Sequence, residues 1–225
     1  MCERPTEKGD MDYELVKSIS LQTPGGVVVQ FHDNGEPLLY DRLGDVWGLF
    51  ANQIKCFDTN GKLLLEKADE IIGKVETIAV SVFEGDVEAD RQHKILKEFL
   101  KIKGDRKPNV IVRCLGEVDK RFMELGCLVC RRSFRSSTGN FDYTKKPNIP
   151  EIGICLDALT QMTIKRTGEV KMCPNPMSEV LGNAVRQPLV EIWGGKLRQG
   201  YLALHISGKR SEISSCAKCE YWGLP

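Results

Sequence analysis

Thr77-Ile-Ala-Val-Ser-Val-Phe83 leads, through Glu84-Gly85-Asp86, into Val87-Glu-Ala-Asp-Arg-Gln-His-Lys-Ile-Leu-Lys-Glu-Phe-Leu-Lys-Ile-Lys103. The first run is short, apolar and rich in β-branched residues, which is the pattern of a strand. The second has helical spacing: Ile95, Leu96, Phe99, Leu100 and Ile102 share one flank, while Asp90, Arg91, Lys94, Lys97, Glu98 and Lys101 supply the wet side. The same alternation extends in both directions from Met11 to Phe134. Strands are expected at Val27 to Phe31, Lys55 to Phe57, Asn109 to Cys114 and Leu128 to Phe134, and helices at Met11 to Leu21, Tyr40 to Gln53, Leu64 to Val75 and Asp119 to Leu125. Repeated βα units mean parallel strands with crossover helices, as an open doubly wound sheet or a full or partial (β/α) barrel. The chain begins with a helix instead of the strand that normally precedes one.

From Ser136 to Glu151 the text turns to Ser, Thr, Gly, Asn, Lys and Pro and reads as a linker, after which the alternation stops. This predicts two domains, residues 1–140 and 141–225. In the second, two short strands are expected about Gly168, from Met162 to Cys173, with a short helix near Gln187 to Lys196. Large apolar side chains are few there, so a core this small needs a staple.

The 225 residues contain 32 Lys and Arg against 31 Asp and Glu, which leaves too little positive charge to favour nucleic acid as a partner. No apolar run reaches the roughly 18 residues of a membrane-spanning helix, and Met1 to Asp12 has no apolar segment of the secretory kind. A cytoplasmic location is expected. Nine cysteines in a reducing compartment point to a metal or an iron–sulfur cluster rather than to disulfides.

The cysteines beyond the linker are Cys155, Cys173, Cys216 and Cys219, spaced C-x17-C-x42-C-x2-C. The C-x2-C pair sets two thiolates on one tight turn, and the strand pair about Gly168 can bring Cys173 opposite them. Unrelated buried thiols would also read this way, and Zn²⁺ accepts the same four sulfurs. Zinc ribbons usually carry two tight pairs, however, and a single tight pair suits a larger cubane. Cys56, Cys114, Cys127 and Cys130 read as core thiols. The C-x2-C at 127 and 130 lies on an expected strand, where residues three apart point to opposite faces.

Cys155, Gly168-Glu-Val-Lys-Met-Cys173, Leu181-Gly182-Asn183, Leu189-Val-Glu-Ile-Trp193 and Cys216-Ala-Lys-Cys219 together resemble the SPASM/twitch domain that follows the catalytic barrel of many radical S-adenosylmethionine (SAM) enzymes. The barrel motifs resemble that family in the same order. Phe31-His-Asp-Asn34-Gly35-Glu36-Pro37-Leu-Leu is similar to the loop that holds the cofactor's amino group. Thr59-Asn60-Gly61 is similar to the turn after the family's third strand, and Val80-Ser81-Val82 to the strand whose polar residue reaches the ribose. The resemblance implies a partial (β/α) barrel followed by a small α+β Cys-rich domain.

It further implies SAM contacts at Asn34, Gly35, Glu36, Pro37, Asn60 and Ser81, and an auxiliary [4Fe-4S] cluster on Cys155, Cys173, Cys216 and Cys219. Cys2 stands where the third cysteine of the family's catalytic C-x3-C-x2-C motif falls. The expected barrel therefore lacks its first strand, and the sequence reads as an N-terminally truncated radical enzyme. The implied reaction cleaves SAM to a 5′-deoxyadenosyl radical that modifies a peptide or small molecule. A reductant protein such as flavodoxin or ferredoxin would supply electrons. The alternative is a non-catalytic iron–sulfur or zinc protein, and no catalytic residue is assigned. The basic stretch from Arg131 to Lys146 reads as a solvated loop.

Overall fold

In a computed structural model of the chain the described residues are 9–33, 35–132 and 154–219. They fall into two compact units, residues 23–132 and residues 9–22 with 154–219. Cys2, Asn34, the boundary near 140 and the linker at 136–151 lie outside the described residues. Among the described residues no helix is long and apolar enough to cross a membrane.

The first helix, α1 (Tyr13–Gln22), groups with residues 154–219 rather than with the sheet that follows it. The sheet unit then runs β1 (Val28–Gln30), α2 (Leu43–Leu49), β2 (Ile54–Thr59), α3 (Ala68–Ile71), β3 (Thr77–Phe83), α4 (Ala89–Lys103), β4 (Asn109–Leu115) and β5 (Leu128–Arg132). All five strands are parallel and pair in sequence order. Each strand of the expected alternation is present. The helices expected at 40–53 and 64–75 shorten to α2 and α3, and the one at 119–125 is a 3-10 turn, Lys120–Glu124, capped by the Asp119 carboxylate. Segments this short do not repay helix nucleation, so only the turns that press on the sheet stay helical.

One face of the sheet carries Phe57, Ile78, Val80, Val82, Val110, Val112 and Cys114, all buried. Against such side chains pack Trp47 of α2, stacked on Phe57 at 5.8 Å, and the buried Leu64, Ile71, Leu96 and Phe99. The opposite face is different. In register, Gln30, Cys56, Thr77 and Asn109 form one row, Asp58, Ala79 and Ile111 the next, and Ser81, Arg113 and Cys130 a third. Parallel strands covered by helices on both sides are nearly continuous apolar runs. Here the positions named, Ala79 apart, are polar or half-buried, so this face is less apolar than the one the helices cover.

The strands correct one expectation about the cysteines. Of the four thiols read as core, Cys114 is buried, whereas Cys56, Cys127 and Cys130 are only half-buried. Cys130 sits beside Arg113 on the polar face and Cys127 precedes β5.

The second unit continues with α5 (Leu156–Thr160), β6 (Thr163–Ile164), β7 (Glu169–Lys171), β8 (Val180–Asn183), α6 (Leu189–Trp193), α7 (Lys196–Ile206) and α8 (Ser214–Ala217). The expected hairpin is β6–β7, and β8 extends it to a three-stranded antiparallel sheet. Gly168 turns the hairpin at φ +82, and a Cβ there would lie 2.7 Å from Val185 Cγ2, so only glycine fits. Helix α1 is tied to α6 where the Leu189 N–H donates to Gln22 Oε1 at 2.8 Å. The core of this unit is Ala158, Met172 and Leu202, with Cys155 and Cys216 packed against it.

Candidate metal centre

Each of the four C-terminal thiols is placed by a short local device. Cys155 is the N-terminal flanking residue of α5, where the Ala158 and Asp157 backbone amides counter the rise that burial imposes on its thiol. Cys173 follows β7 in a turn closed by Ser178 N–H to Asn175 O at 2.8 Å and by its own N–H to Ser178 Oγ at 3.1 Å. The Ser178 side chain and the Asn175 backbone amide counter the rise that burial imposes on the Cys173 thiol. Cys216 lies in α8, whose first turn meets the Glu179 carboxylate through Ser215 N–H at 3.4 Å. Cys219 follows one turn later, its N–H on Cys216 O at 3.2 Å, and Asn175 Nδ2 approaches its sulfur at 3.7 Å.

These thiols feel one another. Burial raises the Cys216 thiol from 9.0 to about 11, and the charges of Cys173, Cys219 and Cys155 push the same way against a hydrogen bond from Ser215. Burial also raises Cys155 and Cys173; Cys219 adds to the first and Cys155 to the second. Among the described residues no three His, Cys, Asp or Glu side chains close around a single ion.

The donor set is chemically uniform: soft sulfurs, partly desolvated, with Asn175 Nδ2 at 3.7 Å from Cys219 and His205 Nε2 at 3.6 Å from Cys216. A hydrogen bond to sulfur favours the thiolate, while burial disfavours it. The residues therefore fit a cationic centre that replaces the protons and offsets the crowding of negative charge.

Further polar residues stand around the sulfurs. His205, 1% exposed, brings Nε2 to 3.6 Å from Cys216 Sγ, while its Nδ1 has no hydrogen-bond partner among the described residues. Burial, then the nearby Arg210, lowers its basicity. The buried Arg198 donates to Ala158 O at 3.1 Å and Leu159 O at 2.8 Å, and its guanidinium lies 3.4 Å from the centre of the Trp193 ring. It closes the C-terminal end of the helix that begins at Cys155.

In the sheet unit, the residues expected to hold a cofactor are at the C-terminal ends of β1, β2 and β3. The Glu36 carboxylate accepts from Thr59 Oγ1 at 2.7 Å, Asn60 N–H at 2.8 Å and Leu38 N–H at 3.2 Å. It thereby joins the Gly35-Glu36-Pro37 loop to the Thr59-Asn60-Gly61 turn. Gly61 has φ +77, and a Cβ there would lie 2.7 Å from Val80 Cγ1. The buried Gln92 donates through Nε2 to Asn60 O at 2.6 Å and Ser81 O at 2.9 Å, so α4 fixes the turn and the third strand together.

On the polar face the Arg113 guanidinium pairs with the Asp58 carboxylate. His32 Nε2 stands 3.6 Å from Asp58 Oδ2, and its Nδ1 accepts from the Asp58 N–H at 3.0 Å. Burial, helped by Arg113 and opposed by Asp33, lowers His32 from 6.5 to about 4 and keeps it neutral. His32, Asp58 and Arg113 are missing from the sequence reading, as are Asn175, Ser178 and His205. A single charged residue inside the otherwise apolar run of β4, Arg113, is the signal that points to the first group. Nothing local marks the second.

Residues 155–220 match the SPASM iron–sulfur cluster-binding domain, a span that contains all four C-terminal cysteines. None of the curated proteins matches the chain. Among solved structures, the crystal structure of selenomethionine BtrN in an open conformation matches with a TM-score of 0.57 at 20% identity, over 94% of this chain and 80% of that one. Residues 155–220 thus match the SPASM iron–sulfur cluster-binding domain, which bears out the SPASM resemblance read from the sequence over that stretch, and the likeness to BtrN shows a shared fold.

Proposed function

We propose that the chain is a cytoplasmic radical SAM-type protein whose five parallel strands are part of a (β/α) barrel. An auxiliary [4Fe-4S] cluster is held by Cys155, Cys173, Cys216 and Cys219. One observation carries this reading: four half-buried thiols, each close enough to feel the charge of another, lie inside the SPASM match. In this reading the cluster supplies electron transfer or shapes the pocket. The chain's own part is to exclude water and to present the four sulfurs.

At the sheet, Gly35, Glu36, Pro37, Asn60 and Ser81, with Asn34, would hold the methionine end and ribose of SAM. The Glu36 carboxylate orders the loop rather than offering itself to a ligand, since three donors already occupy it. Ser81 shares its face with Asp58 and Arg113, which gives a bound molecule a polar, charged wall. The substrate would be a peptide or small molecule met on that wall, and a flavodoxin or ferredoxin would deliver electrons. Cys2 would belong to the catalytic cluster.

The test is iron and sulfide content after anaerobic reconstitution, in the wild type and in Cys155→Ser, Cys173→Ser, Cys216→Ser and Cys219→Ser. The expected result is about four irons attributable to these ligands, lost or strongly reduced in each variant. Unchanged iron in the variants would reject the ligand set, and a colourless protein holding zinc would move the site to a structural ion.

A further inference from the structure

His205 is a histidine with one use. It lies near the end of α7, fully enclosed, with Nδ1 facing no hydrogen-bond partner among the described residues and Nε2 at 3.6 Å from Cys216 Sγ. Neutral imidazole carries its proton on one nitrogen or the other. With no acceptor at Nδ1, the proton belongs on Nε2, the nitrogen that faces the sulfur. A cluster-bound thiolate has no proton of its own and can only accept. The pair is therefore an N–H···S hydrogen bond directed at one ligand of the metal centre.

The surroundings hold this geometry. Gly208 N–H to His205 O at 3.1 Å and Lys209 N–H to Leu204 O at 2.8 Å close the end of α7, and the Arg210 guanidinium donates to the Cys216 carbonyl. Both ends of the contact are thus fixed by backbone bonds independent of the sulfur.

We infer that His205 tunes the reduction potential of the auxiliary cluster by donating from Nε2 to Cys216 Sγ. This rests on Cys216 being a cluster ligand. A hydrogen bond to a cluster sulfur draws electron density from it, and so stabilises the reduced, more negative state and raises the potential. Of the donors around the four sulfurs, His205 is a fully buried side chain whose removal leaves the backbone of the site untouched.

The experiment is a potentiometric titration of the reconstituted full chain, followed by electron paramagnetic resonance, in the wild type, His205→Leu and His205→Gln. His205→Leu should keep its iron and shift the potential to more negative values. His205→Gln restores an N–H near the position of Nε2 and should return the potential towards wild type. Pulsed resonance of the reduced wild type, grown with nitrogen-15 histidine, should show a weakly coupled nitrogen that disappears in His205→Gln. That measurement decides the matter if His205→Leu fails to retain iron. An unmoved potential in an iron-replete His205→Leu protein, or no nitrogen coupling in the labelled wild type, overturns the inference and leaves the ligand assignment standing. A wild type without bound iron rejects the assignment itself.

Discussion

His32 is a base whose environment forbids its charge. Burial and the adjacent Arg113 guanidinium hold it at about 4 instead of 6.5, so the folded sheet unit binds a proton there less readily than the unfolded chain does. Stability from this residue is complete above about pH 6.5 and is lost as pH falls towards 4. The melting temperature of the wild type should decline over that window. His32→Gln, which retains an acceptor for the Asp58 N–H and does not titrate, should flatten the decline. Gln92 makes a second test at this scale. Its side chain is 1% exposed and satisfies two carbonyls at the ends of β2 and β3. Gln92→Leu leaves both unpaired and should cost about 2 kcal/mol or more, read as a lower denaturant midpoint. The sequence marks Asn60 and Ser81 at these strand ends, but the residue that joins them is 32 and 11 positions away. Such side-chain bonds depend on where a helix lands, and local pattern does not encode that.

At the scale of elements, the strands were readable because β-branched runs such as Thr77–Phe83 and Asn109–Leu115 carry their own period. Helix α4 was equally plain, since its apolar flank runs its whole length. The shorter helices were not. Leucines at 63–65 suggest a helix over 64–75, yet only Ala68–Ile71 forms one, because packing on the sheet rather than propensity decides so short a segment. The three-stranded C-terminal sheet and its flanking one-turn helices were only half visible for the same reason. Their stability comes from buried cross-ties, and Arg198 is the clearest. It caps α5 through Ala158 O and Leu159 O while its guanidinium lies over Trp193. Arg198→Met keeps most of the bulk and removes these bonds. The expected cost is about 2–3 kcal/mol in a denaturant titration, with lower iron occupancy because α5 presents Cys155.

At the scale of the whole molecule, the two units draw on different sources of order. The sheet unit has a large apolar layer between five strands and their helices, whereas the C-terminal unit has a core centred on Ala158, Met172 and Leu202. A metal centre closing on four sulfurs would contribute folding free energy directly to the second unit. Hydrogen exchange on the full chain should therefore split. Without iron, amides within 154–219 should exchange faster, while those of β2, β3 and β4 should keep their protection. The spacing of Cys155, Cys173, Cys216 and Cys219 points to the stretch that matches the SPASM domain, because ligand-type residues are a sequence property. The polar face of the sheet did not announce itself, because it exists only once Asp58, Ser81 and Arg113 are brought into neighbouring rows by parallel pairing.

The most direct test is Mössbauer spectroscopy of the anaerobically reconstituted chain loaded with isotopically enriched iron, alongside a variant with serine at 155, 173, 216 and 219. The wild type should show the spectrum of a sulfur-ligated [4Fe-4S] cluster, and the variant should lack that component. An identical spectrum in both proteins, or a wild type without iron–sulfur signal, would contradict the account.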